Sequence, residues 1–344
     1  MGVLPITLSP RAQRVITHNP VTRRRPMPLL LLSQEDVERL LDPATMLEAL
    51  SRGFAELSGG NVVAPGRTGI NTPDGFLGTM PGWLAGGPMG VKLVTAFHGN
   101  PARGLPGHQA LICLFDPETG TPLVVMDGTH ITALRTAGGA TLWARLLARS
   151  DSHTLAIIGG GVQGIAHAHL MPLVRDVIDI RVWSRSPESA ERVAAVVTRS
   201  QVVETPEEAV RDADIICLCT SATEPPVRAE WIAPGAHVSS VGFNPPGGEL
   251  DPVLIERGRL FVESYDAFAP PPVGSAELQG LDPAIGTELG EVILERHPGR
   301  ESPDEITVYK SMGHAMEDVV TATLVYQAAL AEGEGTSFAM DLRG

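Results

Sequence analysis

Residues 155–170 read LAIIGGGVQGIAHAHL, a short apolar run that breaks into glycines and resumes with a helical pattern. Glycine is common in this chain, 37 of 344 residues, so a G-x-G-x-x-G triplet carries little weight alone. Its surroundings add the weight. Leu155 to Ile158 has the length and apolarity of a buried strand, Gly159, Gly161 and Gly164 keep the fingerprint spacing, and 162–173 is apolar enough for a helix packed on a sheet. In such a turn the first glycine makes the tight bend, the second lets backbone approach a pyrophosphate, and the third lets helix and strand pack closely. Free N–H groups at the helix start, around Val162 and Gln163, together with the macrodipole, then favour an anion.

The following strand, 178–183 (IDIRVW), ends in Ser184, Arg185 and Ser186, where an NAD site normally places an acid on the ribose 2′-OH. A guanidinium between two hydroxyls suits a 2′-phosphate instead, so the sequence favours NADP(H) with NAD(H) possible. Further units follow: helix 187–200, strand 201–203, helix 206–212, and strands at 214–219, 237–241 and 260–262. Strands separated by helical segments predict an α/β fold of Rossmann type, a doubly wound parallel sheet with its ligand beyond the carboxyl ends of the strands. Thr220 and Ser221 after one strand, and Val241 and Gly242 at the end of another, are therefore expected on the nicotinamide side.

Upstream, Ser33 and Asp42-Pro43 mark helix starts. Short strands at 67–71, 76–80, 91–97, 110–116 and 122–127 form a mainly antiparallel α+β unit, and 131–147 is a long helix leading onward. The first 26 residues carry Arg11, Arg14, Arg23, Arg24 and Arg25 with no acid, and 1–27 is expected to be a disordered leader. A net charge of −14 and a pI near 5.1 argue against nucleic acid as partner. The run Leu29 to Leu32 is too short to span a membrane. Cys113, Cys217 and Cys219 all fall in strands, which points to buried thiols, no metal, and a reducing, cytoplasmic compartment.

Five longer segments carry a resemblance: FDPETGTPLVVMDGTHITALRTAGGATLWARLLAR, IIGGGVQGIAHA, ADIICLCTSATEPPV, WIAPGAHVSSVGFNPPGGELD and SPDEITVYKSMGHAMEDV. Together, and in this order, they resemble the ornithine cyclodeaminase and mu-crystallin family over roughly residues 30–330. The resemblance implies a dinucleotide domain (135–305) inserted into a substrate and dimerisation domain (28–134), a returning C-terminal helix (306–332), a tail (333–344), and a homodimer. It also implies hydride transfer between nicotinamide and the carbon alpha to a carboxylate, with a small imino or amino acid as substrate. Arg67, Lys92 and Arg135 match the positions that hold the carboxylate and the nearby nitrogen, with His108 a candidate second acid. Thr79 and Met80 are expected beside the substrate, and Thr95 beside nicotinamide or substrate.

Two departures bear on the activity. Cyclodeaminases resemble this chain around Asn244 but carry an aspartate there, and at Thr79 they carry a glutamate toward the distal ammonium. Asparagine cannot act as a general base, so the ketimine-reductase branch is favoured. Cyclodeamination of ornithine or lysine is the alternative, and a mu-crystallin-like NADPH-binding protein a further one. His167, His169 and His314 are read as structural. The run Pro270 to Pro272 is expected to stiffen a loop that, if it borders the pocket, narrows the choice of substrate.

Overall fold

The computed structural model describes residues 28–340, so the expected leader 1–27 lies outside the described residues. The chain begins with β1 (Leu29–Leu32), α1 (Gln34–Leu40) and α2 (Pro43–Ser58). The Ser33 hydroxyl accepts from the Asp36 N–H while the Asp36 carboxylate accepts from the Ser33 N–H, closing a capping box on α1. Asp42 caps α2, with Pro43 at the first helical position. Then come β2 (Val62–Val63), β3 (Thr68–Asn71), β4 (Phe76–Leu84), β5 (Met89–Ala96), β6 (His108–Phe115), β7 (Pro122–Asp127) and α3 (Thr129–Leu147). Strands β4 to β7 form an antiparallel meander, and β1 joins its edge parallel to β7.

The second sheet contains β8 (Thr154–Ile158), β9 (Asp179–Trp183), β10 (Ser200–Val202), β11 (Ile215–Leu218), β12 (His237–Ser240), β13 (Arg259–Val262), β14 (Gly286–Glu288) and β15 (Thr307–Lys310). Its connecting helices are α4 (Val162–Leu170), α5 (Pro187–Ala194), α6 (Pro206–Val210), α7 (Pro252–Arg257) and α8 (Leu289–Ile293). The order is β10-β9-β8-β11-β12-β15-β13-β14 and every pairing is parallel, so the expected doubly wound sheet is present. From β8 the chain first builds toward β9 and β10, then crosses to β11 on the other side, which makes β8/β11 the topological switch point.

The expected C-terminal boundary needs correction. β15 lies between β12 and β13 inside the parallel sheet, so the segment 306–332 starts as a dinucleotide-domain strand. Only α9 (Ala315–Glu332) returns to the first domain, where it packs on β4 and β5. β16 (Thr336–Phe338) follows and pairs antiparallel with β1, so part of the expected tail is sheet. The helix expected over 187–200 stops at Ala194, and the turn over 195–199, with Arg199 at φ of 64°, leads into β10. Between the two sheets runs α3, buried throughout 135–144, with Trp143 tilted over Tyr309 of β15 and Phe261 of β13 at 5.0 and 5.1 Å.

Candidate active site

The glycine turn between β8 and α4 has the shape its spacing demands. Gly159 has φ of +129°, and a Cβ there would stand 2.3 Å from the Cys219 carbonyl oxygen. A Cβ on Gly164 would stand 2.2 Å from the Gly159 carbonyl oxygen, so the helix can seat on the strand only without one. Gly161 differs: a Cβ there would meet nothing within 4 Å, because it faces open space at the start of α4. No side chain caps that helix start, Val162 is exposed, and the Gln163 amide donates to the Ala133 carbonyl at 3.3 Å, tying α4 to α3. Free N–H groups facing open space at a helix N-terminus fit a dinucleotide pyrophosphate.

At the end of β9, Ser186 is engaged as the cap of α5, accepting from the Ser189 N–H and donating to Glu188. Arg185 is exposed and makes no hydrogen bond or ion pair among the described residues. Beyond β11 and β12, Thr220 and Gly242 are both held by the buried Glu249 carboxylate, with N···O distances of 2.7 and 2.6 Å. Asn244 donates its amide to the Ser221 carbonyl at 2.7 Å, so these two loops form one surface.

The cations converge. Lys92 is in β5, Arg135 in α3, and Arg67 immediately precedes β3, so three separate elements bring them together. The Lys92 ammonium lies 2.8 and 2.9 Å from the two oxygens of Asp318, and the Arg135 Nε donates to the same carboxylate at 3.0 Å. Arg135 also reaches Glu317 at 3.4 Å. Arg67 donates to the carbonyls of Met312 and Gly313 at 2.8 and 3.3 Å, while its Nε, also buried, has no partner among the described residues. Since Met312 and Gly313 follow β15, the cluster sits at the carboxyl end of the parallel sheet. Burial, and then the charge of Arg135, pulls Lys92 down to about 8 despite Asp318. Burial and the neighbouring Glu263 push Glu317 up to about 8. With Glu317 pushed up, the three cations Arg67, Lys92 and Arg135 outnumber the remaining acids Glu263 and Asp318, which leaves a positive excess suited to an anion.

Strand parity sorts the other expected residues. Met80 pairs with Lys92 and shares its face, which α9 covers. Thr79 and Thr95 point to the opposite face: Thr79 pairs with Leu93 and hydrogen-bonds Thr68 at 2.8 Å, and the Thr95 hydroxyl donates to the Gln109 carbonyl. Neither Thr79, expected beside the substrate, nor Thr95, expected beside nicotinamide or substrate, shares the Lys92 face, where Gly78 flanks Met80. His108 is on the Lys92 face but four cross-strand pairs further along, and desolvation followed by the charges of His98 and Lys92 lowers its pKa. His167 is buried, with Nδ1 on the Gln163 carbonyl, and His169 is exposed. His314 accepts from the Met316 N–H through Nδ1 and so caps α9. A pocket beside Arg67 is lined by Met80, Asp266, Val273, Met312 and His314, so the triple-proline loop does border it through Val273.

The sequence reading missed the three acids. Glu263 accepts from the Tyr309 and Ser311 hydroxyls and the Met312 N–H, which fixes the loop that carries Arg67's carbonyl partners. Glu317 and Asp318 lie in the run AMEDVV, where adjacent acids inside an apolar helical stretch were the available signal.

The family model for the ornithine cyclodeaminase/mu-crystallin family matches residues 28–333. The chain belongs to the ornithine cyclodeaminase/mu-crystallin family. Among members, ketimine reductase mu-crystallin of Mus musculus is 39% identical over 306 residues, 86% of this chain and 96% of that protein. Alanine dehydrogenase of Archaeoglobus fulgidus is 33% identical, covering 90% and 98%. The solved Δ1-pyrroline-2-carboxylate reductase of Thermococcus litoralis, in complex with NADH and L-proline, superposes with a TM-score of 0.85 at 35% identity. That match covers 90% of this chain and all of the other.

Proposed function

We propose that this protein is a nicotinamide-dependent oxidoreductase that transfers hydride to the C=N carbon of a small imino acid bearing a carboxylate. The observation that carries the reading is the net-positive cluster of Arg67, Lys92 and Arg135 at the carboxyl end of the dinucleotide sheet. Arg67 and Arg135 clamp the substrate carboxylate, and the unpartnered Nε of Arg67 supplies a free donor for it. Lys92, poised near 8, holds positive charge or a proton against the imine nitrogen as the nitrogen becomes an amine. When bound, reduced nicotinamide supplies the hydride. Arg185, free of other partners, favours the 2′-phosphate of NADPH over NADH. The alternative, cyclodeamination, needs a base that the Asn244 amide does not provide.

The outer face of the first sheet supports a homodimer. Leu77, Leu93 and Leu111 are 40, 37 and 50% exposed, and Leu93 and Leu111 are cross-strand partners, so they form one apolar patch. No helix among the described residues is long and apolar enough to cross a membrane, and the three cysteines are free, in keeping with a cytoplasmic protein.

The test is reduced-nicotinamide absorbance with pyrroline-2-carboxylate, piperideine-2-carboxylate, and pyruvate plus ammonia or methylamine, run beside an ammonia-release assay on ornithine and lysine. Oxidation of NADPH that depends on the imine and disappears in Lys92→Ala is the expected result. Ammonia release from ornithine with no net change in cofactor would overturn it.

A further inference from the structure

Outside the cation cluster, a second buried charged network lies under the loops that follow β11 and β12. The Lys310 ammonium, at the end of β15 and fully buried, uses all three of its donors: Glu277 at 2.7 Å, the Gly242 carbonyl at 2.7 Å and the Ser240 hydroxyl at 3.1 Å. Glu249 takes the other side. One of its oxygens accepts from the Thr220 N–H and hydroxyl, both at 2.7 Å, and the other from the Gly242 N–H at 2.6 Å and the Ser240 hydroxyl at 3.0 Å. Glu277 closes the circuit by accepting from the Leu250 N–H and the Ser275 hydroxyl.

Gly242 is therefore gripped through both backbone groups, its N–H by an anion and its C=O by a cation. Its neighbour Phe243 is packed against Arg67, with the guanidinium 6.0 Å from the ring centroid. A buried ammonium and two carboxylates cost desolvation that an apolar core would avoid, so the arrangement has worth where an exact backbone position is needed.

We propose that Lys310 and Glu249 are positioning residues that fix the Gly242 and Thr220 backbone against the nicotinamide half of the cofactor. They touch neither cofactor nor substrate and act through those two loops. The inference rests on the nicotinamide reading above, and its test separates the two.

The experiment measures affinity for NADPH and for 2′-phospho-ADP-ribose, which lacks only the nicotinamide, and likewise for NADH and ADP-ribose. Three proteins are compared: the wild type, Ser240→Ala, and the charge-neutral pair Lys310→Met with Glu277→Gln, each checked for native circular dichroism. The paired variant is expected to bind the nicotinamide-free ligands within about twofold of wild type. It should bind the complete cofactors at least tenfold more weakly and lose kcat with little change in KM for the imino acid. Ser240→Ala should show the same selectivity at smaller amplitude. If both ligand classes weaken together the network is a general fold element, and if neither weakens it does not position the ring; either result overturns the proposal. If the paired variant does not fold, equal weakening of both classes in Ser240→Ala has the same force. A wild type that binds neither class would refute the cofactor reading itself.

Discussion

Replacing Asp318 with Asn removes one buried negative charge and leaves a side chain of nearly the same shape. Its consequence can be worked from Lys92. In the folded protein Lys92 titrates near 8 rather than at its ordinary 10.5, and the Asp318 charge and hydrogen bond hold it even that high. Without Asp318 the ammonium faces Arg135 and Arg67 with no anion in contact among the described residues, so its pKa falls further below about 8. Between that new pKa and about 8 the native variant binds one proton fewer than the native wild type, while the unfolded chains keep Lys92 protonated in both. The stability gap between the two proteins therefore widens as pH falls below about 8, by about 1.4 kcal/mol per pH unit, and the Lys92 part of it vanishes above 8. Glu317 adds to the slope in the same direction, because loss of the neighbouring Asp318 charge lets its carboxyl ionise at lower pH. At pH 7 the Lys92 part alone is on the order of 1 kcal/mol. Urea unfolding of both proteins at half-unit steps from about pH 6 to 9 measures it. A gap that stays flat across that range would refute the electrostatic account of the cluster, whatever its size.

Three further outcomes are expected. Gly161→Ala should keep wild-type thermal stability yet weaken cofactor binding at least tenfold, whereas Gly164→Ala should lower the melting temperature, because only the latter Cβ meets backbone; calorimetry and cofactor fluorescence distinguish them. Arg185→Ala should cost NADPH affinity by about 1 to 2 kcal/mol, roughly tenfold, and leave NADH affinity nearly unchanged, as read from paired titrations. Leu93→Lys combined with Leu111→Lys should produce a monomer in light scattering, since two ammonium groups would replace apolar contact in the middle of the outer face.

Much of this was legible in the chain before folding. The glycine spacing, strand lengths and helix caps are local signals, and the structure realises them with shifts of a few residues. What failed depended on tertiary facts. Thr79 and Met80 were both expected to face the substrate, yet adjacent residues in a strand point to opposite faces, and only the pairing of Met80 with Lys92 shows which one turns inward. Thr95, three residues past Lys92, lies off that face by the same parity. β15 was absorbed into a returning helix because four residues, TVYK, give a weak periodic signal beside the long α9. The cations could be picked out because they match positions of the family resemblance, with Lys92 also costly in an apolar strand, but their partners lie far away in sequence, where no local pattern links them.

That separation also bears on how the chain is made. Lys92 precedes its partner Asp318 by 226 residues, and Arg135 precedes it by 183. The helix covering the inner face of the first sheet likewise follows every strand of the parallel sheet in the chain. Until Asp318 emerges, the first domain must carry an unmatched ammonium and an uncovered apolar face, while the inserted parallel sheet can close once Lys310 has emerged. The substrate site is therefore completed late, and a chain stalled shortly before Asp318 would have a finished dinucleotide sheet beside an unfinished pocket.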